Sequence, residues 1–471
     1  ETPALTPKLL GGFATPAEAD WRALVDKTLG EAPFASLQKA TVEGLPIAPL
    51  YPPAPEPQAP ARCVSADRAW EVATLSGHPD PARVNAEILA DLRGGAAAAV
   101  VRIDPAGQRG SAIGSPDALA RALDGVILEL APVALDAGFL GPQAADWLGA
   151  AAKAAPNALL RFHLDPLSAY AEAGASPGPI EAHLISAANV AARLAETYPQ
   201  AKLFLASGRV VHEAGGGEAG EVAFAASAAV AYAKALVRAG LPMAQAFARI
   251  TLGLCADADY FVTIAKLRAA RSLWARIAAA CGADPTARIE ARSSGRMLTA
   301  KDAWTNMIRL TAAGFAAAVG GADTVILGNL TDALGLPTEF ARRQSRNTQL
   351  VLMEEAHVGR VADPAAGSGY VEALTDEIAR AAWAQFQAIE AAGGIVAALG
   401  AGQIQRGVVA AVEARPEPKI IGVTAFPPAK DTPVEVEIAA ARAVAAPSTR
   451  LPGPDSSCPP LAPVRISEPF E

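Results

Sequence analysis

The sequence has few of the residues from which disulfides and metal sites are built. Its four cysteines are scattered and form no C-x-x-C pair, which argues against a disulfide framework and suits a reducing cytosol. Only five histidines are present, and the closest two, His163 and His183, lie 20 residues apart. A local ligand motif such as H-x-x-x-H is therefore missing, and we expect no metal site.

Charge is also scarce, and positive charge is not in excess. Only 19% of the 471 residues are charged, and 40 Lys and Arg against 48 Asp and Glu give a net charge of −8. Nucleic acid is not an expected partner, because phosphate binding requires a basic face. The longest apolar run, near Val222 to Ala233, is too short to span a bilayer, and the N-terminus lacks the features of a signal peptide. We expect a cytoplasmic protein without membrane contact.

What the sequence does contain is a regular alternation of short β-prone runs and Ala-rich helical stretches. Each gap between runs is long enough for one crossover helix. Eight such units predict an α/β fold of the (β/α)8 TIM-barrel type, with a doubly wound open sheet as the alternative. The predicted strands are Trp70–Leu75, Ala97–Ile103, Val126–Leu130, Ala158–Leu164, Lys202–Ala206, Arg249–Leu254, Arg288–Arg292 and Thr324–Leu327.

Composition divides the chain into three parts. Residues 1–62 predict an N-terminal helical arm and a Pro-rich connector. Residues 63–400 predict the barrel with its C-terminal helices. Residues 401–471 predict an extended linker, because the chain turns Pro-rich past Ala429.

Two helices outside the barrel repeat have clear start and stop signals. Thr15-Pro16 predicts the start of the arm helix, and Gly30 its end. Near the other end of the barrel region, apolar residues recur in steps of three and four from Val371 to Ile389 and stop before Gly393-Gly394, which predicts a long amphipathic helix.

Candidate functional residues follow predicted strands four to eight, because a TIM barrel carries its active site just after the strands. A histidine there can act as a general base or be structural. Arginines there can bind phosphate or carboxylate, or can pair with Glu213 and Glu290 and fill the mouth of the barrel. The candidates are His163 and Asp165; Ser207, Arg209 and His212; Cys255, Asp257 and Asp259; Glu290, Arg292, Ser293, Ser294 and Arg296; and Asn329 and Asp332.

The loop after predicted strand five contains the glycine pattern of dinucleotide-binding loops. Gly215, Gly217 and Gly220 match G-x-G-x-x-G between a strand and a helix. The flanking Glu213 and Glu218 would repel a pyrophosphate, and no acidic residue follows at a strand end to hold a ribose. The pattern therefore favours a flexible βα loop over a nucleotide site.

Several segments resemble the methylmalonyl-CoA mutase family. They are "FASLQKATVEGLPIAPLY" (34–51), "YFVTIAKLRAARSLWARI" (260–277), "RSSGRMLTAKDAWTNMIRLT" (292–311), the long stretch 316–394 and "IIGVTAF" (420–426). The resemblance implies a (β/α)8 barrel around an acyl-CoA ester and a separate C-terminal domain that binds adenosylcobalamin. It also implies a radical carbon-skeleton rearrangement, for which the cofactor supplies the chemistry while the protein supplies geometry and excludes water.

The sequence departs from that family at positions that active members use for catalysis. Where they have Gly-Tyr-His after strand five, this chain has Gly208, Arg209 and Val210. The tyrosine against the corrin and the histidine at the substrate carbonyl are thus missing. Where active members have a histidine, a glutamine and a tryptophan after strand seven, this chain has Glu290, Arg292 and Arg296.

The parts that grip coenzyme A and cobalamin are also altered. Residues 52–72 contain no tyrosine and two arginines, and the cobalt-ligating motif D-x-H-x-x-G is absent. We therefore expect the segment 401–471 to lead toward a cobalamin-type domain that is absent. Gln349, Glu354 and Glu355 match family residues that help to hold the adenosyl group, so they are the candidates if the chain binds cofactor, although none is expected to do so.

These departures predict the small, non-catalytic subunit of a heterodimeric methylmalonyl-CoA mutase, which interconverts methylmalonyl-CoA and succinyl-CoA. Adenosylcobalamin would be bound by the partner, a large catalytic subunit. No catalytic residue is expected in this chain; if it is active, the candidates are Arg209, His212, Glu290 and Arg292. The alternative is a catalytic acyl-CoA mutase barrel that works with cobalamin supplied by a separate chain.

Overall fold

The centre of the protein is a closed barrel of eight parallel strands. The structure is a computed structural model and describes residues 17–54, 59–60, 62 and 68–471. The strands follow one another around the barrel in chain order, and the last pairs with the first. The predicted TIM barrel is confirmed, and the open-sheet alternative is wrong. The strands are β1 (Glu71–Ser76), β2 (Ala98–Arg102), β3 (Val133–Asp136), β4 (Leu160–Leu164), β5 (Lys202–Ser207), β6 (Ile250–Ala256), β7 (Ile289–Ser293) and β8 (Thr324–Ile326).

The third strand is not where the sequence predicted it. The predicted run Val126–Leu130 forms turns, and Ile127 and Leu130 are 60% and 75% exposed. The strand is instead Val133–Asp136, directly after Pro132. It has only four residues, too few for a strong period-two pattern. The other seven predicted runs overlap observed strands.

Helices form the outer layer and the connections. Three of them begin with the same dipeptide signal, an Asp or Ser followed by Pro, at Asp80, Ser115 and Asp165. In each case the side chain accepts a hydrogen bond from a free N–H of the first turn, and the proline occupies the first helical position. The helices are α1 (Glu18–Leu29), α2 (Pro81–Arg93), α3 (Pro116–Ala122), α4 (Gly141–Ala151), α5 (Pro166–Ala173), α6 (Ile180–Thr197), α7 (Arg209–Glu213), α8 (Glu218–Arg238), α9 (Met243–Ala248), α10 (Tyr260–Ala280), α11 (Asn306–Val319), α12 (Glu339–Leu350), α13 (Gly369–Ala391), α14 (Ile395–Gly400) and α15 (Gln403–Ala414).

Strand β2 shows how the side chains divide between the two faces of the barrel. Ala98 and Val100 belong to a small apolar cluster with residues of β1, β3 and β8, which places them inside the barrel. Ala99 and Val101 belong to the large core between barrel and helices. The period of two along a strand produces this division, and it directs Arg102 inward as well.

The long helices α8, α10 and α13 pack against one another on one side of the barrel. The predicted stripe of α13, from Val371 to Ile389, is buried as expected. In the described part of the chain, α8 alone is long and apolar enough to cross a membrane, but 72% of its most apolar window is buried within the protein. It therefore behaves as a core helix.

The N-terminal arm contributes helix α1, a 3-10 turn at Phe34–Leu37 and a contact with α8 to the described fold. Helix α1 ends at Gly30 as predicted and buries none of its residues. The predicted start, Thr15-Pro16, lies outside the described residues. Further along the arm, the carboxylate of Glu43 accepts hydrogen bonds from the N–H groups of Ala219 and Gly220, at 2.7 and 2.9 Å. The arm thus caps α8.

The C-terminal part is extended after α15. That helix, Gln403–Ala414, lies within the range predicted as linker and packs on α8. We call residues 436–467 the rim segment, because they run around the carboxyl-terminal rim of the barrel. Their backbone pairs with loops that follow five strands, in the contacts Glu437–Leu336, Val444–Pro105, Leu451–Pro177, Val464–Glu213 and Ile466–Arg296.

Candidate functional site

An ion pair crosses the axis of the barrel near its carboxyl-terminal end. Arg292 on β7 reaches Asp136 on β3, with Nη1 2.9 Å from Oδ2. These two strands are opposite each other in the closed order of eight. The Nε of the same guanidinium donates to Oε1 of Glu290 at 3.0 Å. Arg292 therefore occupies the axial space at this end of the barrel.

The charges around Arg292 keep both of its carboxylate partners ionised. Burial acts to raise the pKa of Asp136, but Arg102 and Arg292 outweigh it and hold that pKa well below its usual range. Burial also opposes ionisation of Glu290, yet Arg292 and His163 lower its pKa to about 2. Each buried carboxylate thus has a guanidinium partner, the condition under which buried charge is tolerated.

His163 on β4 lies beneath this network and is neutral. Its Nδ1 is 3.6 Å from Oε2 of Glu290, and neither ring nitrogen has a hydrogen-bond partner among the described residues. Burial is the main reason that its pKa falls to about 4, with Glu290 acting in the opposite direction. Its φ of 45° lies in the left-handed region, at a register irregularity of β4. Such strain costs on the order of 1–3 kcal/mol.

Arg209 begins α7, directly after β5, and lies half-buried at the mouth of the barrel. Its Nε donates to Oγ of Ser207 at 3.0 Å. Among the described residues, no carboxylate oxygen comes within 4.0 Å of its guanidinium. Burial and the nearby charge of Arg292 lower the pKa of Arg209. Arg209 is thus a cation without an ion-pair partner.

His212 is enclosed rather than exposed at the mouth. Its Nδ1 lies 3.1 Å from Oε2 of Glu221, and its Nε2 lies 3.1 Å from Oδ2 of Asp257 and 3.0 Å from Oγ of Ser294. The side chain is fully buried. A general base must reach the proton that it abstracts, and this arrangement supports the structural interpretation of His212.

Of the two glutamates that were expected to pair with the candidate arginines, only one does so. Glu290 pairs with Arg292, as predicted. Glu213, however, accepts hydrogen bonds from the backbone N–H groups of Gly295 and Arg296, at 3.1 Å each. The guanidinium of Arg296 pairs instead with Asp257, whose Oδ2 is 3.1 Å from Nη2. Glu213 fails as a partner because it folds back on the β7 loop.

The glycine loop has no room for a nucleotide phosphate. The first turn of α8, where a phosphate would bind, is occupied by the carboxylate of Glu43. A Cβ at Gly217 would collide with that carboxylate. The glycine at this position therefore allows the arm to approach, and the loop interpretation from the sequence holds.

One buried group of side chains among the described residues has the composition of a metal site. His212, Glu221 and Cys255 place their ligand atoms within 4.8 Å of one another. The ammonium of Lys266 already lies 2.6 Å from Oε2 of Glu221, and burial, with the charges of Glu213 and Glu221, raises the pKa of the Cys255 thiol. The ammonium group of Lys266 thus supplies the positive charge that a metal ion would bring.

The residues proposed for an adenosyl group lie far from the mouth. Gln349 is buried near the end of α12 and accepts a hydrogen bond from Nε1 of Trp70, at 3.2 Å. Because Trp70 directly precedes β1, this contact is at the amino-terminal end of the barrel. Glu354 and Glu355 follow in a π-helix and are exposed. The structure does not bring these three residues to the mouth.

The remaining candidates hold loops in place. Asp165 accepts a hydrogen bond from the hydroxyl of Tyr232 at 2.5 Å, and Ser293 accepts one from the N–H of Gly328 at 2.7 Å. Asp332 accepts hydrogen bonds from Asn329. Asp259 lies at the N-cap of α10. Sequence reasoning missed Asp136, since the predicted third strand ended before it.

Comparison with known proteins agrees with the barrel geometry. A family model described as methylmalonyl-CoA mutase matches residues 58–448. The small subunit of methylmalonyl-CoA mutase of Streptomyces virginiae is 41% identical over 385 residues, which are 79% of this chain and 61% of the relative.

Two further relatives bear similar names. A probable methylmalonyl-CoA mutase small subunit of Mycobacterium tuberculosis (strain ATCC 25618 / H37Rv) is 39% identical over 396 residues, 79% of this chain and 62% of the relative. The small subunit of Propionibacterium freudenreichii subsp. shermanii is 35% identical over 429 residues, 84% of this chain and 66% of the relative. The chain thus spans slightly less than two thirds of the length of these relatives.

Proposed function

The chain belongs to the methylmalonyl-CoA mutase family, and from this premise we propose that it is the small, non-catalytic subunit of a heterodimeric, adenosylcobalamin-dependent mutase. The large subunit would interconvert methylmalonyl-CoA and succinyl-CoA in the cytoplasm. The relatives named as small subunits support this assignment. The observation that carries it is the Arg292–Asp136 pair across the barrel axis.

The mouth of the barrel is unsuited to catalysis on an acyl-CoA. A substrate on the axis would have to displace Arg292 from both Asp136 and Glu290, which would leave the buried charges of Arg292 and Glu290 without partners. Breaking a buried pair such as Arg292–Glu290 costs about 3–5 kcal/mol. The positions after β5, where the resemblance requires a tyrosine and a histidine, hold Arg209 and Val210. Neither side chain offers a general acid that could serve the substrate carbonyl near neutral pH.

The described residues do not fit adenosylcobalamin. Adenosylcobalamin chemistry in this barrel would need an open axial space at the mouth, and Arg292 occupies that space. The candidate residues Gln349, Glu354 and Glu355 lie at the other end of the barrel or on its surface. We therefore assign cofactor binding to the large subunit.

The outer face of α11 is the surface that we assign to contact with the large subunit. Trp304, just before the helix, and Ile308 and Phe315 on it recur at intervals of four and seven and are 37%, 71% and 36% exposed. Phe340 at the start of α12 is 56% exposed and packs on Trp304, with ring centroids 6.1 Å apart. An exposed apolar stripe of this kind is typical of subunit interfaces.

The test is isomerase turnover with adenosylcobalamin and methylmalonyl-CoA, measured for this chain alone, for the large subunit alone and for the reconstituted pair. We expect turnover only where the large subunit is present, and a one-to-one complex of the two chains by light scattering. Turnover by this chain with cobalamin supplied by a separate protein would establish the alternative, a catalytic barrel. Failure of the two chains to associate would reject the partner assignment.

A further inference from the structure

We infer that the mouth of the barrel binds a small oxyanion, a carboxylate or a phosphate, between the guanidinium groups of Arg102, Arg209 and Arg292. This inference does not rest on the proposed subunit role. It rests on hydrogen-bond donors that the described residues leave without acceptors, on their position at the mouth near Asp136, and on the access that solvent has to them.

The three guanidinium groups use few of their donors. Each offers five N–H groups. Among the described residues, Arg102 and Arg209 each make one hydrogen bond through Nε, to Asp136 and Ser207. Arg292 uses Nε and Nη1. Its Nη2 is buried and has no acceptor in the part of the chain that the structure describes. Because a buried donor without an acceptor is destabilising, a ligand that accepts from it gains affinity.

The three groups lie at the mouth, and two of them contact the same carboxylate. Oδ2 of Asp136 is 3.2 Å from Nε of Arg102 and 2.9 Å from Nη1 of Arg292. Arg209 begins α7 directly after β5 and lies within electrostatic range of Asp136 and Glu290. Among the described residues, Arg209 pairs with neither carboxylate.

Two other carboxyl groups near the mouth do not fill the free donors. Asp165 lies within electrostatic range of Arg209, but its Oδ1 accepts from Tyr232 and from the N–H of Ser168. Asp332 lies within range of Arg102, and its oxygens accept from Asn329. These two carboxyl groups therefore leave the Nη groups of Arg102 and Arg209 without a bond to them.

Solvent reaches the arginine and aspartate side chains at the mouth of the barrel but not the side chains deeper along the axis. The side chains of Arg102 and Asp136 are 39% and 31% exposed, whereas those of Glu290 and His163 beneath them are 1% exposed. A small anion can therefore reach Arg102 and Asp136 from the mouth, where the Arg292–Asp136 pair lies across the axis.

Guanidinium chemistry selects the class of ligand. Its planar fork donates two parallel hydrogen bonds to the oxygens of a carboxylate or phosphate. Chloride cannot accept in this bidentate manner.

The experiment is calorimetric titration of the full chain with sodium acetate and, separately, with sodium phosphate, at ionic strength held constant with chloride. We expect saturable binding at one site for at least one of the two anions, and the two titrations distinguish carboxylate from phosphate as the ligand. Arg209→Gln should weaken that binding about tenfold or more, which corresponds to about 1.4 kcal/mol. Arg380→Gln, which alters an exposed helix arginine paired with Asp376, is the matched control and should bind as the wild type does.

If Arg209→Gln does not fold, Arg209→Lys keeps the charge and removes the fork, and it should bind more weakly than wild type. Absence of saturable binding for both anions would overturn the inference. So would equal binding by wild type and a folded Arg209→Gln. Because these titrations use the chain alone, their outcome is independent of the turnover assays that test the subunit role.

Discussion

Arg292 and Asp136 meet across the barrel axis, 2.9 Å apart, although they come from opposite strands. Arg102 approaches the same carboxylate from β2, at 3.2 Å. The carboxylate of Asp136 is thus the common partner of two arginines, and its loss would leave both of them short of an acceptor. The first prediction concerns this dependence.

Asp136→Asn should destabilise the protein by about 1–3 kcal/mol, because it removes a charged acceptor from the buried side chain of Arg292, while the side chain of Asp136 is itself 31% exposed. Urea unfolding at neutral pH measures this change as a lower midpoint at an unchanged slope. The control is Asp146→Asn. Asp146 pairs with Arg193 on the surface, and exposed pairs contribute about 0–1 kcal/mol. Equal effects of the two substitutions would show that the axial pair is not special.

Restoring the two missing family residues should not create an enzyme. The double variant Arg209→Tyr, Val210→His supplies the tyrosine and histidine, but Arg292 still occupies the axis. We expect no turnover of methylmalonyl-CoA by this variant with adenosylcobalamin, as for the wild-type chain. The assay needs the active reconstituted pair as its positive control. Measurable turnover by the double variant alone would contradict the argument from the blocked axis.

Asp165 should make the protein less stable as pH rises from about 4 to about 7. Burial raises the pKa of its carboxyl from 3.8 to about 7, against the opposing hydrogen bonds from Tyr232 and Ser168. Between these values the folded protein keeps a proton that the unfolded chain has released. The free energy of unfolding therefore falls with rising pH through this window.

Asp165→Asn should remove that fall. The difference in unfolding free energy, variant minus wild type, should increase by about 4 kcal/mol between about pH 4 and pH 8, because a pKa raised from 3.8 to about 7 corresponds to that free energy. His163, with its pKa lowered to about 4, makes stability rise with pH, but it contributes equally to both proteins and cancels in the difference. A difference that does not change with pH would mean that Asp165 has an ordinary pKa.

Ile308→Asp should weaken assembly with the large subunit about tenfold or more, because it places a charge in the centre of the apolar stripe. Ile308 is 71% exposed, so the stability of the isolated chain should change little. Ile127→Asp, at a position 60% exposed outside that stripe, is the matched control. Sedimentation of the mixed chains measures the dissociation constant. An equal loss of affinity from the two substitutions would show that the apolar stripe on α11 is not the interface.

The barrel could be predicted from the sequence because its repeat is long and regular. Seven strands were located by their β-prone runs. Val133–Asp136 was missed because its four residues follow a more β-prone run, Val126–Leu130, which lies on the surface. Because the strand was predicted too early in the chain, its last residue, Asp136, was not recognised as a candidate site residue. A carboxylate at the end of a buried strand was the available signal, but its partner could be identified only after the opposite strand was known.

The capping of α8 could not be predicted for a different reason. The glycine pattern and its acidic neighbours argued correctly against a phosphate. They did not reveal that Glu43, 176 residues away from Ala219, supplies the acceptor. A contact over this sequence separation depends on where the arm crosses the barrel, and local patterns contain no information about that path.

The rim segment has a consequence for the order in which the protein folds. Its hydrogen bonds go to loops that follow five different strands, so its docking positions do not exist until those loops are neighbours. Ordering it earlier would close long loops without any compensating contacts. The amides of Val444, Leu451 and Val464 should therefore be among the last to become protected from hydrogen exchange during refolding, and their protection would mark the moment at which the ring of strands is complete.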